Sequence, residues 1–175
     1  HDFRPSYRKI NNFHQFIGKP PVMALTATAT PKVKQDITDT LELPDTQIIQ
    51  TSFVRPKLIY EVHQTENKLA SIQSLLTNAT GNTIIYLRTR RHCETLVEQL
   101  GISGIRANYF HGGSENKTKL IEEWSSGRNP IMVATTAFGM GIDQPNVRQV
   151  IHAALPESME SYYQEAGRAG RDGKR

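Results

Sequence analysis

Thr83-Ile84-Ile85-Tyr86-Leu87 is the run that decides the fold. Its β-branched and aromatic residues suit a buried, pleated strand, and three arginines follow it in Arg88-Thr89-Arg90-Arg91. Cys93, Leu96, Val97 and Leu100 then recur at helical spacing, and Gly101 is expected to end that helix. A strand that passes straight into an amphipathic helix is the repeating half of a βαβ unit. The alternation continues downstream. Tyr109-Phe110 closes a short strand, Leu120, Ile121 and Trp124 mark a helix, and residues 131–134 and 149–152 form two more buried strands. A last helix is expected from Ser158 towards Ala169. Upstream, Leu69, Ile72, Leu75 and Leu76 share a helix face, and residues 58–62 suit a strand. These elements predict an α/β domain with four or five mostly parallel strands flanked by helices.

A turn-rich stretch at residues 43–56 precedes that domain and marks a boundary. Before it, Thr30-Pro31 has the form of a helix cap with proline at the first helical position, followed by Val33, Ile37 and Leu41. Residues 22–25 suit a buried strand. There is no internal repeat and no low-complexity run.

The chain has 175 residues, of which 37% are hydrophobic and 22% charged, enough to bury a core and too apolar for a disordered tail. Its 21 Lys and Arg against 17 Asp and Glu leave a net charge of +4, which permits an anionic partner without demanding one. A single cysteine, Cys93, excludes an internal disulfide and a zinc cluster made within the chain. No apolar run approaches the roughly 20 residues that cross a bilayer. A soluble intracellular protein is therefore expected, without a membrane partner. The opening at His1, without Met, and the close at Arg175 suggest a piece of something longer.

In open parallel sheets, ligands sit beyond the carboxyl ends of the strands, and four unusual clusters fall there. The first is Gln164-Glu165-Ala166-Gly167-Arg168-Ala169-Gly170-Arg171-Asp172-Gly173, whose two arginines are expected on one side of a helical turn. Such a pair suits a polyphosphate, and it equally suits a solvated helix end. In the second, Val133-Ala134-Thr135-Thr136-Ala137-Phe138-Gly139-Met140-Gly141-Ile142-Asp143, hydroxyls and exposed amides at a strand end suit phosphate. Asp143 can take ribose hydroxyls, and a plain tight turn is the alternative. Leu25-Thr26-Ala27-Thr28-Ala29-Thr30 is either another hydroxyl-rich strand end or a simple helix cap. The fourth, residues 86–91 with the later His111-Gly112-Gly113, suits a sugar–phosphate backbone or a solvated loop. No Gly-x-x-x-x-Gly-Lys loop and no Asp-Glu pair for magnesium occurs, so the chain supplies at most part of an ATP site. Cys93, Trp124 and Met23 suit packing, and the histidines show no metal spacing.

Taken in order, these clusters resemble one family closely: the RecQ-type ATP-dependent DNA helicases of helicase superfamily 2. His1-Asp2-Phe3-Arg4-Pro5 resembles the end of that family's aromatic-rich loop, and Ala24-Leu25-Thr26-Ala27-Thr28-Ala29-Thr30 its motif III. Ile84-Ile85-Tyr86 with Thr89-Arg90 is similar to motif IV, residues 133–148 to motif V, and residues 162–173 to motif VI. Tyr109-Phe110-His111-Gly112-Gly113 resembles a Tyr-His-Ala-Gly segment, from which Gly112 and Ser114 depart; Arg88, Val54 and Lys57 depart elsewhere.

The resemblance implies a fold and a set of roles. Residues 1–52 would be the C-terminal part of a first RecA-like lobe, and 53–175 a second RecA-like lobe. ATP with Mg2+ would bind between lobes, its site completed by first-lobe residues upstream in the same protein. Arg171 would be the arginine finger and Arg168 a second γ-phosphate contact, with Gln164, Gly141 and Asp143 also at the nucleotide. Thr89, Arg90, His111 and Thr135 would face the nucleic-acid strand, and His1, Phe3 and Arg4 would sense it. Thr26 and Thr28 would couple the lobes. The implied partners are single-stranded and duplex DNA, with a single-strand-binding protein as a further candidate. The implied location is the bacterial nucleoid or the nucleus. An RNA helicase lobe, and a non-catalytic module that docks through residues 88–91, are the alternatives.

Overall fold

A computed structural model describes residues 9–26, 29–43, 45–52, 54–139 and 141–173. The expectations placed on His1, Phe3, Arg4 and Thr28 lie outside the described residues. The chain divides into two compact units, His1–Val54 and Arg55–Arg175.

Among its described residues, the first unit holds two helices, α1 (Ile10–Phe16) and α2 (Pro31–Thr40). Proline opens α2, and the Thr30 hydroxyl accepts the Val33 amide at 3.3 Å, so the cap forms as expected. Leu41 is buried. Residues 22–25 are not a strand. They run without sheet pairing, and Met23 and Leu25 are 82% and 86% exposed. An apolar run becomes a strand only when another strand takes up its amides and carbonyls, and the described residues of this unit contain none.

The second unit contains α3 (Lys68–Thr77), β1 (Asn82–Tyr86), α4 (Arg90–Ile102), β2 (Asn108–Phe110), α5 (Lys117–Ser125), β3 (Ile131–Ala134), β4 (Val147–His152) and α6 (Met159–Ala166). The sheet order is β2-β3-β1-β4 and every pairing is parallel, so the α/β expectation is borne out. All five residues of β1 are buried, as befits an interior strand covered on both faces. Side-chain alternation splits the core in two. Ile84, Tyr86, Met132 and Ala134 join Phe110, Trp124 and Phe138 on one face. Ile85 and Val133 join Ile72, Leu76, Cys93, Leu96 and Leu100 on the other. Trp124 is fully buried, meets Phe138 edge-on at 5.1 Å, and donates its indole N–H to the Thr83 carbonyl at 3.3 Å.

Three boundaries differ from expectation. Residues 58–62 stay outside the sheet: a turn returns the Leu58 amide to the Arg55 carbonyl at 3.0 Å, Leu58 packs on the core, and Val62 is 95% exposed. Helix α4 passes through Gly101 and ends one residue later at Ile102, because Gly104 (φ +76°) takes the left-handed position and lets Ile105 N reach Leu100 O at 2.9 Å. Helix α6 ends at Ala166, so the two arginines after it stand on turns rather than on a helix.

Candidate functional site

The sheet register aligns Phe110, Ala134, Tyr86 and His152 in one row at the carboxyl ends of the four strands. The loops that leave this row hold nearly every candidate residue. After β3 the chain turns at Thr135, whose amide donates to Phe110 O at 3.2 Å; Phe138 N then returns to Thr135 O at 3.0 Å, and the Phe138 side chain plugs the core. Gly139 follows with φ +106°, a conformation that favours glycine. A β-carbon there would overlap the Arg168 guanidinium.

Both arginines after α6 converge on this loop. Arg168 Nη1 donates to Gly139 O, while Arg171 Nη1 donates to Ile142 O at 3.2 Å and to Asp143 Oδ1 at 2.9 Å. Arg168 Nε is buried without a hydrogen-bond partner among the described residues. The Asp143 carboxylate is 84% exposed and Arg171 36%, so this ion pair lies open to solvent and is readily exchanged. Gly141 is exposed beside them, and Gln164 is exposed on the last turn of α6. Arg168 and Arg171 thus both meet the loop after β3, and the Asp143 carboxylate is turned to Arg171.

The arginine-bearing turns are held from two sides. Arg55 donates to the carbonyls of Gly167, Ala169 and Gly170 at 3.4, 3.1 and 3.1 Å. Opposite, Gly170 N donates to Val147 O at 2.9 Å, and Arg148 grips Asp172 with both terminal nitrogens. An open cavity of about 560 Å³ lies among Arg55, Lys57, Leu58, Gly170 and Arg171; its three cationic side chains suit an anion.

Behind the loop, the Tyr86 hydroxyl donates to Phe138 O at 3.1 Å, and burial pushes its pKa up to about 12, so it remains a donor. His152 stacks on Tyr86 with centroids 5.6 Å apart and places Nε2 2.8 Å from the buried Glu165 carboxylate. Sequence reading missed Arg55 and His152 as parts of the site, and it gave no role to Tyr86 and Glu165 inside the clusters it singled out. Arg55 falls in a turn-rich stretch, and His152 sits at the end of a strand whose period assigns only packing.

The second group forms around β2. Arg90 is exposed at the start of α4, and its guanidinium lies over Gly112 and Gly113, where β-carbons would come within 3.1 and 3.2 Å of its terminal nitrogens. Glycine at 112 leaves room for that side chain. Thr89 caps α4, its hydroxyl accepting His92 N at 3.2 Å. His111 does not face outward: it is 4% exposed, with Nε2 2.9 Å from Glu94 and Nδ1 accepting the Gly113 amide at 3.2 Å. Ser114, the other departure, accepts the His111 amide at 2.9 Å. The ring therefore shapes the loop, and Arg90 is what the loop presents. Thr135 is half-buried next to it, and Thr26 is exposed in the first unit. Among the described residues, no three His, Cys, Asp or Glu gather as metal ligands, and no helix is long and apolar enough to cross a membrane.

A parallel sheet whose strand ends carry a glycine-bearing loop crossed by two arginines defines an α/β lobe with a cationic cluster at its carboxyl edge. Residues 67–173 match the helicase conserved C-terminal domain, and the chain belongs to that family. It is 45% identical to the ATP-dependent DNA helicase RecQ of Bacillus subtilis over 99% of this chain and 30% of that protein. It is 42% identical to the RecQ-like DNA helicase BLM of Xenopus laevis over 99% of this chain and 13% of that one. The chain thus spans less than a third of these relatives, and the resemblance to RecQ-type helicases expected from the motifs is borne out. Among solved structures, S. cerevisiae Dbp5 bound to RNA and ADP BeF3 matches with a TM-score of 0.80 over 99% of this chain and 48% of that chain. At 22% identity, that likeness is one of fold.

Proposed function

We propose that this chain is part of an ATP-dependent 3′-to-5′ DNA helicase acting in repair and recombination, and that it supplies the arginines that answer to ATP and a cationic face for the DNA backbone. The observation that carries the reading is the convergence of Arg168 and Arg171 on the 139–143 loop at the end of β3. Charge spreads over the γ-phosphate oxygens during phosphoryl transfer, and a guanidinium brought to them lowers the barrier; an arginine finger is worth roughly 10³–10⁵ in rate. Among the described residues, the Arg171 guanidinium donates to a carbonyl and to one exposed carboxylate. A triphosphate carries more charge than either, so it can draw the guanidinium away while Arg168 steadies the loop. Arg171 acts as the finger, Arg168 as second phosphate contact, and Gln164, Gly141 and Asp143 complete this side of the nucleotide. Mg2+ would neutralise the phosphates; the described residues offer no ligand trio for it, and the Walker and Asp-Glu groups come from the rest of the first lobe.

On the DNA side, Arg90 and Thr89 at the head of α4, with Thr135 and the His111 loop, meet the strand's phosphates. His1, Phe3 and Arg4 report its presence, and Thr26 and Thr28 relay lobe movement. Closure on ATP and reopening after hydrolysis then alternate the grip on DNA. The protein works where DNA is, in the nucleoid or nucleus, with a single-strand-binding protein as partner. The names of the relatives favour DNA over RNA. The test is turnover of the full-length protein with single-stranded DNA or RNA of equal length. DNA should stimulate more, and the 175-residue chain alone should show no DNA-stimulated turnover. Preference for RNA, or full activity of the isolated chain, refutes the reading.

A further inference from the structure

The turns that carry Arg168 and Arg171 follow directly on the end of α6 at Ala166, where backbone carbonyls lack helical partners. Just past that end, the carbonyls of Gly167, Ala169 and Gly170 all accept from one side chain, that of Arg55, and Gly170 O also accepts the Gly173 amide at 3.1 Å. A planar guanidinium with five donors can serve three carbonyls at once; an ammonium on a flexible stem does not reproduce that fork. Arg55 comes from far away in sequence, at separations of 112 to 115 residues, and is the first residue of its unit. On the opposite side the same turns are tied to β4 through Val147 and Arg148. Arg171 lies between these anchors, so its backbone is located by both.

We infer that Arg55 is a positioning residue: it holds the 167–170 turns so that Arg171 stands at the place where a phosphate is met. The inference rests on the reading of Arg171 as arginine finger. Arg55 needs no contact with the nucleotide for this role. Its effect passes through Arg171, which gives the proposal a signature that general destabilisation lacks.

The experiment measures steady-state ATP turnover of the full-length protein with saturating single-stranded DNA in Arg55→Ala, Arg55→Lys, Arg171→Ala and the Arg55→Ala/Arg171→Ala pair. A misplacement of about 1 Å costs on the order of 10²-fold in rate. Arg55→Ala is therefore expected to lower kcat by roughly 10- to 100-fold with KM for ATP changed less than about twofold, and Arg55→Lys to rescue little. Added to Arg171→Ala, Arg55→Ala should cost less than about a further twofold, because residues acting as a unit are not additive. Hydrogen exchange gives a reading without turnover: in Arg55→Ala the amides of residues 168–173 should exchange at least about tenfold faster, and those of β1 and β3 unchanged. Unaltered kcat, multiplicative losses in the pair, or unaltered exchange at 168–173 overturns the inference. If Arg171→Ala itself leaves turnover intact, the arginine-finger reading fails instead, and the exchange experiment alone decides whether Arg55 locates the turns.

Discussion

Gly139→Ala tests the junction between the 139–143 loop and the arginine turns. The substitution has two separable costs. At φ +106° an L side chain is strained by about 1–2 kcal/mol. The new β-carbon also overlaps the Arg168 guanidinium. That guanidinium ends a flexible side chain and gives way, but in doing so it abandons its bond to Gly139 O, a charged hydrogen bond of about 1.5–3 kcal/mol. Together the two amount to about 2.5–5 kcal/mol of lost stability in the second unit. Urea unfolding at 25 °C measures it directly, because Trp124, the single tryptophan, is fully buried edge-on against Phe138, one residue from the substitution. In an Arg168→Ala background the overlap is absent and only the backbone cost of about 1–2 kcal/mol should remain. Equal losses in both backgrounds, or a loss below about 1 kcal/mol in the parent, refute the placement of Arg168 over Gly139.

Other outcomes follow from the same geometry. Arg171→Ala in the full-length protein should lower kcat about 10³-fold or more while nucleotide binding changes modestly; near-normal kcat removes Arg171 from the mechanism. Arg90→Ala should weaken single-stranded DNA binding and reduce the slope of log affinity against log salt by about one, since Arg90 is the guanidinium exposed over Gly112 and Gly113; an unchanged slope assigns the phosphates to other residues. Burial pushes the Cys93 thiol up to about 11, so alkylation at pH 8 should be at least about 100-fold slower in the folded chain than in urea. The folded thiol keeps its proton above the ordinary value of 9.0 at which the unfolded one loses it, so stability falls as pH rises from about 9 towards 11. Tyr86, at about 12, extends the fall, and Cys93→Ala should flatten the first part of it in urea titrations at stepped pH.

Periodicity alone located α3, α4, α5 and the four strands of the second unit, because an element with one or two buried faces writes its period into the sequence. The Thr30-Pro31 cap was legible for the same local reason: donor and acceptor lie three residues apart. Residues 22–25 and 58–62 carry the same apolar signal as β1 and are not strands, since pairing depends on a neighbour that periodicity cannot supply. Motif order in the sequence marked residues 133–143 and 164–173 as a site. What each side chain does there came from contacts across 28 to 115 residues: Arg168 to Gly139, Arg171 to Asp143, Arg55 to the carbonyls after α6. His111 is settled over shorter spans, a polar residue on a loop that the sequence offers to DNA and that Glu94, 17 residues away, and Gly113, 2 residues away, turn inward. Local chemistry sets the elements and the candidate residues. Which donor meets which acceptor is decided only once the sheet brings the strand ends into one row, because hydrogen bonds between distant residues leave no periodic trace in the chain.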